Sequence, residues 1–159
     1  LHRADLMKVS CGVLYDSEED RCFEYLEEQV PELIEHLQTL DCVICFNSKR
    51  FDYNVLKVYT EFDFKRLHSL DLLEEVHRHL GYRLSLDNLA RATLGSQKSA
   101  DGLQDLKWWK QKRMQKLLDY CRQYVVITRD LFLYGREKGY LLFNNKAGHT
   151  VRVPVNFRL

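Results

Sequence analysis

No stretch of this chain approaches the roughly 20 consecutive apolar residues that a membrane-spanning helix needs. A disulfide framework is missing too. The five cysteines, Cys11, Cys22, Cys42, Cys45 and Cys121, are an odd number and follow no signal-like start, so a reducing, cytoplasmic setting is expected. Nor does one sign of charge prevail: Lys plus Arg is 24 against 23 for Asp plus Glu, a net charge of +1. Binding to a polyanion would have to come from local arrangement. There is no internal repeat, no low-complexity tract and no linker that would split the chain. It begins at Leu1 rather than Met and reads as a piece of something longer.

What is present is enough for a core. With 159 residues, 45% hydrophobic and 12% aromatic, the chain can bury one real core and is too short for two ordinary domains. One α/β domain over residues 1–159 is the expectation. Met7 to Tyr15 is β-rich and breaks at the turn-forming Asp16 to Asp20, after which Cys22, Phe23 and Tyr25 begin a second short strand, giving a hairpin. Pro31 suits the first turn of a helix whose apolar stripe is Leu33, Ile34 and Leu37. A buried-looking strand follows at Cys42 to Phe46, and strand, helix, strand suggests a crossover and a mixed sheet.

Beyond it the pattern turns helical: Tyr53 to Tyr59, Leu72 to Leu80 ending at Gly81, and Leu86 to Leu94 ending at Gly95. Ser96 to Gly102 is the most loop-like segment, a long helix runs from about Lys112 to Gly139, and the end reads as a β-hairpin around Asn144 to His149. Within this frame the run Cys42 to Leu56 stands out. An apolar strand there delivers an aspartate, Asp52, to its carboxyl end as a helix begins, which is how metal-dependent phosphoryl-transfer sites place a ligand at the rim of a sheet.

Five motifs occur in order: the strand with N-x3-F-D (Asn47, Phe51, Asp52), D-L-L-E-E-V-H (Asp71 to His77), L-S-L-D-N-L-A (Leu84 to Ala90), L-G (Leu94, Gly95) and Y-C-R-Q (Tyr120 to Gln123). Each alone is weak. Together, from about Met7 to Val155, they resemble the DEDD superfamily of ribonuclease H-like 3′-5′ exonucleases, and most closely the YprB-type ribonuclease H-like domains. The resemblance implies a mixed sheet flanked by helices and a two-metal nuclease. In that family four carboxylates bind two divalent ions, Mg²⁺ or Mn²⁺, which activate a water and stabilise the leaving oxygen of a phosphodiester. By resemblance Asp52 is a metal ligand, Tyr120 the water-orienting tyrosine, and Asn47 and Phe51 brace the strand end and pack beneath the site.

The chain departs from the family pattern twice. The last motif should close with aspartate four residues after its tyrosine, and Tyr124 stands there instead. No D-x-E precedes Met7, and the strand that should carry that pair would lie upstream of Leu1. Asp119 and Asp130 do not substitute, because they point about 140° and about 120° away from position 124 on a helix. One of the four family ligands remains. A lone carboxylate leaves two nearby cations hardly screened from each other, so two metals should bind poorly.

Other candidates have plain readings. Cys42 and Cys45 lie three apart on a strand and face opposite ways, so they read as small buried cysteines rather than a zinc pair. His77 and His79 sit roughly 200° apart around a helix and read as a solvated face. His36 and Asp41 match the histidine form of the last exonuclease motif by chance, since they precede Asn47. Trp108, beside Trp109, Lys107 and Lys110, could stack and contact phosphates of a single strand; the plainer reading is one tryptophan in the core and the basic residues on a solvated helix face. Two expectations result. One is an exonuclease-family domain acting on DNA or RNA ends, inactive as given. The other is a degenerate module that binds nucleic acid or docks on a partner such as a DEAD/DEAH-box helicase, by analogy with the YprB-type domains.

Overall fold

The computed structural model of the chain describes residues 11–96 and 114–159. It opens with a hairpin in which β1 (Cys11–Asp16) and β2 (Arg21–Leu26) pair antiparallel, Asp16 facing Arg21 across the turn. Asp16 Oδ1 accepts the Glu18 backbone N–H at 2.9 Å, the aspartate turn that a chain reversal favours. Helix α1 (Val30–Gln38) carries Pro31 in its first turn, where no N–H is missed, and buries Val30, Leu33, Ile34 and Leu37 at helical spacing. Arg122 forms an ion pair with Glu24, so the hairpin is also tied to the long helix described below.

The central segment is a parallel pair. Strand β3 (Val43–Cys45) lies beside β4 (Ser69–Asp71), with Val43 opposite Ser69 and Cys45 opposite Asp71. Between them come the short helix α2 (Asp52–Leu56) and a 3-10 turn at Lys57–Tyr59. Helix α3 (Leu72–Leu80) springs directly from β4 and stops at Gly81, which takes the left-handed conformation at φ 79° that a side chain would disfavour. Helix α4 (Leu86–Leu94) starts at the N-cap Ser85, whose hydroxyl accepts from Asn88 N at 3.0 Å. Helix α5 (Met114–Lys138) is the long one. Strands β5 (Tyr140–Asn144) and β6 (Thr150–Pro154) close the chain as an antiparallel hairpin.

The first hairpin, α1, β3, the helices ending at Gly81 and Gly95, the long helix and the final hairpin all lie where the sequence pattern puts them. Two details differ. Parallel and antiparallel pairings both occur, but among the described residues they form three separate two-stranded ladders rather than one continuous sheet. Strand β4 has no signature in the sequence, because three residues are too few to show alternation and its extended form comes from pairing with β3. Met7 to Ser10 of the expected first strand, residues 97–102 of the expected loop, Lys112 and Arg113 at the expected start of the long helix, and Trp108 and Lys110 lie outside the described residues.

Two apolar clusters hold these elements. One gathers Leu72 and Val76 of α3, Leu89 of α4, Leu131 of α5, and Leu141 and Val153 of the last hairpin. The other joins Leu14, Val30, Leu33, Tyr53 and Phe64. Phe46, just after β3, belongs to the first, whereas Tyr53, in α2, belongs to the second. The turn between them, with Asn47 and Asp52, is therefore anchored in a core at each end. Among the described residues no helix is long and apolar enough to cross a membrane.

Candidate functional site

The turn after β3 begins with a left-handed residue. Asn47 has φ 66°, a conformation that asparagine tolerates better than most side chains. Its backbone N–H donates to Asp71 Oδ1 at 2.8 Å, and the N–H of Lys49 donates to Asp71 Oδ2 at 3.3 Å. The chain then tightens into α2, with Phe51 N donating to Asn47 O at 3.1 Å and Tyr53 N to Ser48 O at 2.9 Å. This turn sits at the carboxyl ends of two parallel strands, the edge at which open α/β sheets place ligands.

Asp52 is the first residue of α2. Its Oδ2 accepts the hydroxyl proton of the buried Ser48 at 2.6 Å, and it makes no hydrogen bond that caps its own helix. Shielding from water is the main influence that raises its carboxyl above the ordinary range; the charge of Asp71 adds to it and the Ser48 hydroxyl opposes it. The residue still presents an exposed surface. Water therefore tempers that upward push, and the carboxylate stays reachable from outside.

Asp71 is the residue that sequence reasoning missed. Buried at 4% exposure, it ends β4 and caps α3, its Oδ1 accepting from Leu73 N at 3.1 Å and Glu74 N at 3.4 Å besides Asn47 N. Its two oxygens are thus taken up by four backbone N–H groups from two segments. A signal was present: aspartate immediately before an amphipathic run, with Glu74 in the first turn, is an N-cap signature. Its bond to the Asn47 turn is a matter of tertiary pairing.

From the opposite side α5 presents Tyr120, buried, and Tyr124, half-buried, one helical turn apart. Tyr124 points inward, and its hydroxyl donates to the Phe46 carbonyl at 3.4 Å. Burial first, then the neighbouring Asp52, Tyr120, Asp71 and Cys45, push the Tyr124 phenol far up. It is a neutral donor, not an anionic ligand. The Cys45 thiol is likewise pushed up to about 12 by burial and by Asp71, so it stays a protonated thiol rather than a thiolate nucleophile.

The structure brings Asn47, Asp52, Tyr120 and Tyr124 to one edge, with Phe51 half-buried in the same turn. It keeps the other sequence candidates apart. His36 is held between Asp16 Oδ2, at 3.1 Å, and the Tyr25 hydroxyl, at 2.6 Å, away from Asp41. His79 pairs with the buried Glu75 one turn back at 3.3 Å, and His77 is exposed.

A family model described as the RNase H superfamily matches residues 5–134 of the chain. No curated protein matches it. The chain belongs to the ribonuclease H superfamily, a class of mixed α/β domains with nuclease-like function. Its members usually use divalent metal ions. The residues described here do not fit a two-metal centre. Among the described residues of this edge Asp52 is an exposed acid bonded to Ser48, Glu74 is paired with Lys49, Asp71 is committed to backbone N–H groups, and a neutral tyrosine stands where the resemblance expects a fourth acid. Among the described residues no three His, Cys, Asp or Glu side chains converge. Hard cations that depend on several oxygen ligands would find too little charge here.

Proposed function

We propose that this chain is a DEDD-type, YprB-like ribonuclease H domain that engages DNA or RNA ends at the β3 and β4 edge and cleaves them little or not at all. The observation that carries this reading is the inward Tyr124, whose neutral hydroxyl is bonded to the Phe46 carbonyl beside Asp52. A phenol there removes the charge that a second ion would need and leaves Asp52 as ancestry of a metal site. The whole chain, residues 1–159, is taken as one such domain.

The test is a nuclease assay of the protein with Mg²⁺ or Mn²⁺, on single-stranded DNA and RNA. Unchanged protein should give little or no product, and Tyr124→Asp should gain cleavage that Asp52→Ala removes. Robust cleavage by the unchanged protein, abolished by Asp52→Ala, would overturn the degenerate reading. Binding supplies the other arm: salt-dependent affinity for single strands is expected, with Trp108→Ala and Lys110→Ala weakening it. Absence of binding at low salt would leave docking on a partner such as a DEAD/DEAH-box helicase as the surviving role.

A further inference from the structure

The Asn47 side chain has a second duty. Its Oδ1 accepts from Arg83 Nη2 at 2.7 Å, reaching across from the turn that joins α3 and α4. Arg83 is exposed, and among the described residues its guanidinium has no carboxylate partner. Other exposed arginines nearby in the fold are engaged: Arg78 pairs with Glu75 at 2.9 Å and Arg91 with Asp87 at 2.7 Å. Arg83 is thus a cation held through one terminal nitrogen by a neutral amide, with no other hydrogen bond from its guanidinium among the described residues.

The bracket that holds it is built into the site. Asn47 is fixed through its backbone by Asp71, and the next residue, Ser48, bonds Asp52. The same turn exposes Lys49, which pairs with Glu74 at 3.3 Å, and Arg50, which has no ion pair among the described residues. A planar guanidinium with free donors is suited to a phosphate oxygen pair, and a neutral amide orients it without cancelling its charge. An aspartate in place of Asn47 would have offset that charge.

We infer that Arg83, oriented by Asn47, clamps a backbone phosphate of a single-stranded nucleic acid lying across the β3 and β4 edge beside Asp52. The inference rests on the nucleic-acid reading above and adds to it a named contact. Asn47 is a positioning residue: it touches Arg83, and Arg83 touches the strand.

The experiment is fluorescence anisotropy of a labelled oligothymidylate against the parent protein over a range of salt concentrations. Arg83→Gln should weaken binding about fivefold at 0.1 M salt and lower the slope of log affinity against log salt by about 0.7, the share of one phosphate contact on a single strand. Arg83→Lys keeps the charge and should restore the slope. Asn47→Gly keeps the left-handed backbone and the N–H to Asp71 while deleting the amide, so affinity should fall with the slope kept. Arg91→Gln, the paired control, should change neither. If the parent binds and Arg83→Gln leaves affinity and slope as they were, the clamp is wrong and the nucleic-acid reading survives. If the parent does not bind at low salt, that reading fails and the clamp fails with it.

Discussion

The backbone N–H of Asn47 donates to the side chain of Asp71, 24 residues later, at 2.8 Å. Through this bond the end of β4 shapes the turn after β3, and one buried carboxylate satisfies both a helix N-terminus and a left-handed turn. The consequence is chemical as well as structural. An aspartate buried to 4% exposure and shared among four backbone N–H groups has little left to offer a cation, so the second acid of this edge acts as a fastener.

Asp71 is therefore predicted to matter for stability. Asp71→Ala removes the cap of α3, typically worth about 1 kcal/mol, and strands the Asn47 and Lys49 N–H groups at about 1–3 kcal/mol. A total loss of about 2–4 kcal/mol by urea denaturation is expected, against about 1 kcal/mol for Asp71→Asn, which keeps one acceptor oxygen. Equal losses in the two variants would show that the N–H groups find other partners.

Asp52 sets the sign of a pH effect. Its carboxyl is raised in the folded chain, so folding favours its protonated form. Its contribution to stability is full below the ordinary carboxylate value of 3.8 and falls as pH rises from there through the raised folded value. Asp52→Asn, neutral throughout, should match the parent at low pH and exceed it near neutrality. Denaturation midpoints of both proteins across pH check this; a gap that stays constant with pH would refute it.

Ser48 acts on the same group in the opposite direction. Its hydroxyl donates to Asp52 at 2.6 Å and holds the carboxyl down. Ser48→Ala should move the Asp52 titration further upward, followed by carboxyl carbon NMR of the folded protein. An unchanged or lowered titration midpoint would mean the hydroxyl does not stabilise the carboxylate.

Gly135 in α5 tests the close packing of the long helix against the C-terminal segment. A methyl group there would come within 2.4 Å of the Phe157 ring and 3.1 Å of Val155. Gly135→Ala gains helix propensity but forces this contact apart, so a net loss of about 1–3 kcal/mol is expected. Gly135→Ala paired with Phe157→Leu should recover part of it, as thermal denaturation can show.

The sequence by itself determined the elements whose information is local. Helix α3 and helix α4 end where Gly81 and Gly95 permit a left-handed residue, α1 follows from Pro31 and the Leu33, Ile34, Leu37 stripe, and both hairpins follow from β-rich runs around turn formers. It also marked Asn47, Asp52, Tyr120 and Tyr124 as belonging together, through motif order. The tertiary structure alone decided what they amount to. Whether Tyr124 fills the site or faces away depends on the rotation of α5 against β3, which no spacing within the helix reveals. Strand β4 exists because β3 offers it partners, and Asp71 is drawn from helix cap to turn fastener by that pairing. Arg83 reaches Asn47 across 36 residues for the same reason. Local chemistry fixes backbone conformation within a few residues, whereas the choice between an open acid and a bonded one depends on what packing brings alongside it.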